Sequence, residues 1–198
     1  MTLLDTRPNI LDFLDEELKQ RLLYRMLNAG VVMHFGEEVT AVAVPEADRV
    51  EARCGSGQVV TAERVLYAAG RIGNTDQLGL KVVWPQSTPS VRPMDMLTGR
   101  FRPRRWHRYE IGHAFYRETA RAHIMGDTEG MLKLIFHRET LQLLGVHIIG
   151  EHASELIHIG QAVIAYGGTI EYFIDNVVNY PTLSEAYKVA ALNDYNRL

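Results

Sequence analysis

The chain has 198 residues, of which 46% are hydrophobic and 23% charged, and its formal net charge is -3 at pH 7. This composition is typical of a soluble globular protein with one large domain or two small ones. The charge gives no overall attraction to nucleic acid or anionic lipid, and no apolar run approaches the roughly 20 residues needed to span a bilayer. The only cysteine, Cys54, excludes an internal disulfide, and we expect a cytoplasmic protein.

The first predicted helix covers residues 11–27, where apolar side chains recur every four residues at Leu14, Leu18, Leu22 and Met26. Asp15 suits the N-cap, and the acidic residues after it suit the first turn of a helix. Gly30 suits the left-handed position that ends a helix. We therefore expect a helix that turns one face to a core.

Residues 31–69 predict β structure. Short apolar runs begin at Val31 and Val39, the second is expected to stop at Pro45, and a return strand is expected from residue 50 to 54. Residues 65–69 are apolar on both faces, which is typical of a strand buried in a parallel sheet. Ligands bind at the carboxyl ends of such strands, so Gly70 and Arg71 are candidate ligand contacts.

Residues 81–108 break this pattern. They contain four prolines, both tryptophans and a basic run that begins at Arg100, so we expect an irregular junction. Basic clusters with aromatic residues can also bind nucleic acid. The rest of the chain is acidic and carries no recognition motif, so we expect no nucleic-acid partner.

Regular structure is predicted again from Tyr109 onward. Antiparallel strands are expected over residues 109–116, 131–136 and 143–149. A helix is expected from Ala153 to Tyr166, with a packed side formed by Leu156, Ile157, Ile159, Gly160 and Val163. Gly167 and Gly168 should end it, and two shorter helices are expected over residues 170–177 and 184–193.

Several motifs resemble one known family. Residues 67–75, Tyr-Ala-Ala-Gly-Arg-Ile-Gly-Asn-Thr, look like the segment that closes the NAD(P) domain of flavoprotein disulfide reductases. Residues 132–162 resemble their interface domain, and residues 179–187, Asn-Tyr-Pro-Thr-Leu-Ser-Glu-Ala-Tyr, resemble its last motif. The Phe-His-Arg-Glu-Thr turn and the Tyr-Pro-Thr sequence are similar to those of the soluble pyridine nucleotide transhydrogenases.

The resemblance implies an α/β protein in two parts. Residues 1–80 would form a partial doubly wound NAD(P)-binding domain, residues 81–108 an irregular junction, and residues 109–198 an α+β dimerisation domain with an antiparallel sheet. Members of the family are homodimers with FAD that move a hydride between NADPH and NAD through the flavin. A non-catalytic dimerisation fragment and a related flavoprotein reductase are the alternative functions.

The resemblance also places candidate site residues near the carboxyl terminus. Tyr180 stands where thiol-using relatives have a histidine, and Glu185 stands at the position of that histidine's partner. An unperturbed phenol keeps its proton at neutral pH, so a tyrosine is a poor general base there. Tyr180 and Pro181 are therefore expected to pack at the interface, with the Tyr180 backbone beside the flavin of the partner subunit, and thiol chemistry is not expected.

A second group of candidate residues, Asp5 and Arg7, stands where the family ends the second strand of its NAD(P) domain. An acid at this place can bind a ribose hydroxyl, and an arginine can accept a 2′-phosphate, so the pair is compatible with NAD(H) and NADP(H). The chain contains no G-x-G-x-x-G sequence for a dinucleotide pyrophosphate. We therefore expect an incomplete FAD site, an amino-terminal truncation, a deletion or gene-model error at residues 81–108, and no activity of this chain alone.

Residues 109–198 are expected to self-associate as a two-fold dimer. The expectation rests on an apolar patch too large for a monomer. The side chains proposed for it are Ile157, Ile159, Val163, Ile164, Phe173, Tyr180 and Tyr187.

No metal site is expected. Glu155 and His158 have the Glu-x-x-His spacing of di-iron bundles, but the sequence shows neither a second copy of this motif nor the two further glutamates that such a site needs. No hydrolase nucleophile motif is present, and Cys54 has no evident activating neighbour in the sequence.

Overall fold

A computed structural model of the protein describes residues 1–12, 14–68 and 109–195. These residues form two compact units. Residues 1–10 and 29–68 form the first, and residues 11–28 and 109–195 form the second. None of the described helices is long and apolar enough to cross a membrane.

The first unit contains two small sheets. Its strands β1 to β5 span Thr2–Asp5, Val32–Phe35, Val39–Glu46, Arg49–Cys54 and Val59–Ala62. β1 and β2 pair in parallel, with Thr2 opposite Val32 and Asp5 opposite Phe35. The other three strands form an antiparallel meander in the order β3-β4-β5. A parallel pair requires a crossover connection, which places the carboxyl ends of β1 and β2 at the same edge.

Two strand predictions in this unit are wrong. β3 continues through Pro45, because it is an edge strand and an edge tolerates a residue without a backbone N–H. Residues 65–68 form no strand, and Leu66 and Tyr67 are each 89% exposed. A buried parallel strand needs neighbours on both sides, whereas β1 and β2 pair only with each other among the described residues.

The second unit combines a three-stranded antiparallel sheet with helices. Strands β6, β7 and β8 span Tyr109–Phe115, Met131–His137 and Leu143–Ile149, in that order across the sheet. Helices α1 to α5 span Glu16–Asn28, Ala120–Met125, Ala153–Ala165, Glu171–Asp175 and Glu185–Tyr195. The three strands and four of the helices were predicted, with their ends displaced by a few residues. Helix α2 and the 3₁₀ turn Tyr116–Glu118 before it were not.

One face of this sheet forms the main core with α3 and α5. The buried cluster includes Leu132, Leu134, Phe136, Val146, Leu156, Ile157, Phe173, Tyr187 and Ala190. Strand β6 approaches α5 so closely that a Cβ at Gly112 would collide with the carbonyl group of Ala190. The hydroxyl of Tyr187 accepts a hydrogen bond from the Gly160 backbone N–H at 3.1 Å and donates one to the Leu156 carbonyl at 2.7 Å. These bonds join α5 to α3 inside the core.

Helix α1 has the end signals that the sequence predicts, although it begins at Glu16 and not at residue 11. The Asp15 carboxylate accepts hydrogen bonds from the backbone N–H groups of Glu17 and Leu18, at 3.2 and 3.4 Å, which confirms Asp15 as the N-cap. Gly30 has a φ of +77° just beyond the helix. Although β1 and β2 flank it in the chain, α1 groups with the sheet of the second unit.

Candidate functional site

The turn after β1 carries the first pair of candidate residues. The Arg7 guanidinium donates two hydrogen bonds to the Asp5 carboxylate, from Nε to Oδ1 at 3.0 Å and from Nη2 to Oδ2 at 2.7 Å. The Arg7 backbone N–H donates a third to Oδ1 at 2.9 Å. The hydrogen bonds from the Arg7 side chain and backbone lower the pKa of Asp5 to about 2. Asp5 is therefore a carboxylate at neutral pH, and its position is fixed by the hydrogen bonds from Arg7.

This turn is fixed to the end of the neighbouring strand. The Gly36 backbone N–H donates to the Arg7 carbonyl at 2.9 Å, and the Glu37 backbone N–H donates to the Asp5 carbonyl at 3.0 Å. Both donors follow β2, which is parallel to β1. The Asp5–Arg7 pair therefore stands at the carboxyl edge of a parallel strand pair, the edge at which open α/β sheets bind ligands.

A second cluster of polar residues lies on the face of the β6–β8 sheet opposite the main core. His113, Lys133 and His147 are cross-strand neighbours in one row, since Lys133 is opposite His113 on one side and opposite His147 on the other. Lys133 and His147 are both buried. A buried charge needs a partner, and helix α1 supplies it.

The first residues of α1 place two carboxylates over this row. Lys133 Nζ donates to both oxygens of Asp15, at 3.1 and 3.0 Å, and to Oε2 of Glu17 at 3.3 Å. His113 Nε2 lies 2.9 Å from the same Glu17 oxygen. Burial alone would raise the pKa of each carboxyl group. Hydrogen bonds from Lys133 to Asp15 and from His113 to Glu17, together with the nearby positive charges, outweigh burial, so both pKa values lie below their ordinary range.

His147 is the member of the row without a hydrogen bond. Neither ring nitrogen has a hydrogen-bond partner among the described residues. Burial disfavours the imidazolium and lowers the pKa of His147 to about 4, although the charges of Asp15 and Glu17 oppose this effect. At neutral pH His147 is therefore an uncharged imidazole under an ion-paired cluster.

The third site lies at the start of α5. The Tyr180–Pro181 peptide bond is cis, and the Tyr180 side chain is 70% exposed. Pro181 lines an open groove together with Thr182, Leu183, Ser184, Arg121, Met125, His152, Glu155, Leu156 and Ile159. Glu185 begins α5 and buries its Oε2 atom without a hydrogen-bond partner in the described part of the chain.

The predicted site residues thus fall into separate groups. Asp5 and Arg7 are in direct contact in the first unit, whereas Tyr180, Pro181 and Glu185 belong to one segment of the second. Gly70 and Arg71 lie outside the described residues. Sequence reasoning did not find the cluster around Lys133. Its signal was a lysine inside an apolar strand and a histidine inside the next one, at Lys133 and His147.

The surface proposed for self-association needs a correction. Ile157, Val163, Phe173 and Tyr187 are buried in the core of their own unit, because α3 and α5 pack on the sheet through these side chains. Tyr180, which belongs to the proposed patch, is exposed, and so are the large side chains of Ile124, Tyr166, Tyr172 and Val177.

The structure also bears on the metal hypothesis. Within residues 1–12, 14–68 and 109–195, no group of three or more His, Cys, Asp or Glu side chains is placed to hold a metal ion. His158 lies on the exposed side of α3, where its Nδ1 atom is 2.8 Å from Oε1 of Gln161.

Two family models match the chain. Residues 1–86 match the pyridine nucleotide-disulphide oxidoreductase family, and residues 103–191 match the dimerisation domain of that family. The solved structures are similar at the level of the fold. LpdA from Mycobacterium tuberculosis has a TM-score of 0.73 at 18% identity, and the HOCl-induced flavoprotein disulfide reductase RclA from Escherichia coli has 0.77 at 16%. Each alignment covers 96% of this chain and 55% or 58% of the other.

Similar curated proteins are soluble pyridine nucleotide transhydrogenases. The one from Chromohalobacter salexigens is 34% identical over 261 residues and the one from Mycobacterium bovis 36% over 263. These alignments cover 99% and 100% of this chain and 56% of each relative. Because both matched regions exceed 198 residues, the relatives contain segments inside the aligned region that this chain lacks. The chain belongs to the pyridine nucleotide-disulphide oxidoreductase family and is similar along its length to the soluble pyridine nucleotide transhydrogenases.

Proposed function

We propose that the chain is part of a flavin-dependent, cytoplasmic oxidoreductase that transfers hydride between NADPH and NAD. In this proposal the first unit binds the adenosine end of a pyridine nucleotide, and the second unit forms a homodimer. The observation that carries the proposal is the 34–36% identity to soluble pyridine nucleotide transhydrogenases over 99–100% of the chain. The chain spans 56% of the length of these relatives.

The turn after β1 fits a pyridine nucleotide. A carboxylate such as that of Asp5 accepts hydrogen bonds from ribose hydroxyls, and the guanidinium of Arg7 matches a phosphate in geometry and charge. Both groups stand at the carboxyl edge of two parallel strands. This supports binding of the nucleotide's adenosine ribose at β1, with a 2′-phosphate on the arginine.

The chain's own residues do not fit a whole FAD molecule. A dinucleotide pyrophosphate requires an array of backbone N–H groups at a glycine-rich turn, and G-x-G-x-x-G does not occur in the 198 residues. The part of the proposal that involves flavin rests on the family alone. We therefore assign no role in proton or hydride transfer to Gly70, Arg71, Tyr180 or Pro181, and propose only that they contact cofactors.

A chimera tests the proposed function. Residues 109–195 would replace the aligned segment in the soluble pyridine nucleotide transhydrogenase from Mycobacterium bovis, with the unmodified relative as control. We expect the chimera to be dimeric, to keep its flavin and to transfer hydride from NADPH to an NAD analogue within about tenfold of the control, because hydride transfer between nucleotides needs no general acid or base from this segment. A chimera that fails to load flavin, although folded and dimeric, would contradict the proposal.

A non-catalytic dimerisation module is the second candidate. It is favoured by the contrast in packing between the two units, since the second has the large cluster around β7, whereas the buried apolar residues of the first are Ile10, Val31, Ala52 and Cys54. A chimera that is dimeric and loaded with flavin but transfers no hydride from NADPH would support this module over the enzyme.

A further inference from the structure

Two arginine side chains share one aromatic ring in the second unit. The guanidinium carbon of Arg21, in α1, lies 4.5 Å from the centroid of the Phe115 ring, and that of Arg117, in the 3₁₀ turn after β6, lies 4.4 Å from it. In the described part of the chain, neither arginine side chain forms an ion pair or a hydrogen bond. Arg25, one turn further along α1, is paired with Asp127 at 3.4 Å.

This stack of Arg21, Phe115 and Arg117 leaves the hydrogen-bonding groups of both arginines available. An arginine stacks on an aromatic ring through the flat face of its guanidinium, while its five N–H donors lie in the plane of the group. Such donors bind a phosphate or a carboxylate in a bidentate geometry. An anion on the free edges of the two guanidiniums would also offset the repulsion between these neighbouring cations.

A cleft of about 440 Å³ adjoins the stack. Small-ligand sites have volumes of about 300–1,000 Å³, so the cleft has room for a small organic molecule. Phe115, Met131 and Ile149 are opposite one another on adjacent strands, which places the stack and the cleft at the same end of the β6–β8 sheet. The cleft is lined in part by Arg21, Arg25, Tyr24, Glu17, Glu129 and Ile149.

The acidic residues near the stack differ in what they bind. Glu17 is paired with Lys133 at 3.3 Å, and Glu118 accepts a hydrogen bond from the Phe115 backbone N–H at 2.8 Å. Glu129 is exposed and has neither an ion pair nor a hydrogen bond with a described residue. Its charge opposes an anion in the cleft, so its removal tests whether an anion binds there.

We propose that Arg21, Arg117 and the adjoining cleft form a binding site for a small organic phosphate. The phosphate group binds to the free edges of the two guanidiniums, and the organic part occupies the cleft against Tyr24 and Ile149. A phosphate monoester carries roughly two negative charges at neutral pH, so two cations favour it over a carboxylate with one charge. The site shares no residue with the turn after β1 and does not depend on the proposed function.

A bound phosphate ester would join two elements of the second unit. Arg21 belongs to α1, and Arg117 belongs to the turn after β6. A ligand that binds only the folded state raises its stability. Saturation with the ligand should therefore raise the urea midpoint of the second unit, which gives a measurement besides binding itself.

The test uses the full chain and three probes, namely phenyl phosphate, benzoate and inorganic phosphate. Binding is followed by amide NMR titration at residues 17–25 and 115–118. We expect phenyl phosphate to shift these resonances and to bind about tenfold more tightly than benzoate, which has the same ring but one charge. It should also bind more tightly than inorganic phosphate, which has no organic part to fill the cleft.

Substitutions at the two arginines should weaken phenyl phosphate. Arg117→Ala lies outside α1 and should raise the dissociation constant about tenfold, as should Arg21→Ala, because each removes a charged donor. Arg21→Lys keeps the charge but loses the planar fork, so it should recover only part of the affinity. Glu129→Gln should tighten binding. The matched control is Arg53→Ala, at an exposed arginine of the first unit that likewise has no ion pair in the described part of the chain, and it should leave the constant unchanged.

Several outcomes would overturn the phosphate site. Phenyl phosphate that shifts only residues 2–7 would be bound at the turn after β1 instead. Equal affinity for benzoate would exclude recognition of a phosphate, and equal affinity for inorganic phosphate would exclude a role of the cleft. If Arg53→Ala weakens binding as much as Arg117→Ala does, the attraction is general electrostatics. If no probe shifts residues 17–25 and 115–118 at millimolar concentration, the stack only fastens α1 to the sheet and the proposal is wrong.

Discussion

At the scale of single residues, Tyr180 and Glu185 show how the last motif differs from a catalytic pair. Tyr180 is mostly exposed, while Glu185 Oε2 is buried without a partner among the described residues. A phenol at this position offers shape and a backbone surface, and hydride transfer between nucleotides needs no base there. In the chimera defined above, we expect Tyr180→Phe to lower the transhydrogenation rate by less than about tenfold, against roughly 10²–10⁴-fold for loss of a general acid or base.

The measurement for Tyr180 is the steady-state rate of transfer from NADPH to an NAD analogue. Flavin content and dimerisation serve as controls, because a structural defect would change them as well. A loss of a hundredfold or more with both intact would show that the hydroxyl takes part in chemistry.

His147 predicts a specific dependence of stability on pH. Its pKa is about 4 in the folded chain against 6.5 for an unperturbed histidine, so the unfolded state binds a proton first as the pH falls. The contribution of His147 to the free energy of unfolding is lost progressively as the pH falls from 6.5 to 4. The two pKa values imply a loss of about 2 kcal/mol between roughly pH 7 and pH 5.

Urea unfolding at these two pH values measures this loss. Asp15 and Glu17 also lose stabilising charge in acid, but their ordinary pKa values of 3.8 and 4.5 place most of that loss below pH 5. His147→Asn removes the titrating ring and should make the second unit's free energy of unfolding nearly equal at both pH values. An undiminished difference in this variant would assign the acid sensitivity to another group.

At the scale of elements, the docking of α1 on the β6–β8 sheet depends on a charged contact. Asp15 both caps the helix and pairs with buried Lys133, so Asp15→Ala removes a cap and leaves the ammonium with Glu17 alone. We expect the free energy of unfolding to fall by about 2 kcal/mol, a figure reduced for the partial exposure of Asp15. A double-mutant cycle with Lys133→Met should give a coupling of about 1 kcal/mol or more.

The matched control for this cycle is Glu16→Ala. Glu16 is an acid in the same helical turn but is exposed and pairs with Lys19 on the helix itself. Its removal should change the unfolding midpoint less than Asp15→Ala does. Additive effects of Asp15→Ala and Lys133→Met would show that the contact does not stabilise the docked helix.

The same elements show what could be predicted from the sequence. The bounds of α1 followed from local signals, since Asp15 and Gly30 act within a few residues of the helix ends. The surface that α1 covers could not be predicted, because it depends on the register that places Lys133 between His113 and His147 across three strands. The strand predicted at residues 65–68 is absent for the same reason, since an apolar run becomes a buried strand only if neighbouring strands are present.

The candidate site residues could likewise be predicted from the sequence, whereas their contacts depend on the fold. Asp5 and Arg7 were identified from their place after a short apolar segment, but the bidentate contact between them is a property of the folded turn. Tyr180 and Glu185 were identified from a motif, whereas the burial of one Glu185 oxygen depends on packing around α5.

At the scale of the whole molecule, the exposed apolar side chains of the second unit predict a dimer. Val177 is 94% exposed and Tyr166 is 92% exposed, which is unusual for large apolar side chains of a monomer when several lie in one unit. We expect sedimentation of the full chain to show a dimer at micromolar concentration. Val177→Asp should shift it toward the monomer, whereas Val44→Asp, at an exposed valine of the first unit, should leave the dimer intact. A monomer in the unmodified chain would contradict this expectation.

Flavin retention can be measured directly on the full chain. FAD binds stably when its pyrophosphate meets several backbone N–H groups at a helix terminus and its ribityl and ring portions are enclosed. The 198 residues contain no G-x-G-x-x-G turn to supply that array, and the aligned relatives contain segments that this chain lacks. We therefore expect the purified chain to be colourless, with no stoichiometric flavin band in its visible spectrum.

Addition of FAD followed by gel filtration should leave the cofactor in the small-molecule fraction, while the dimer elutes unchanged. A yellow protein with one flavin per chain would show that the described units assemble a cofactor site by a route other than the glycine-rich turn, and the division of roles proposed for the two units would then be wrong.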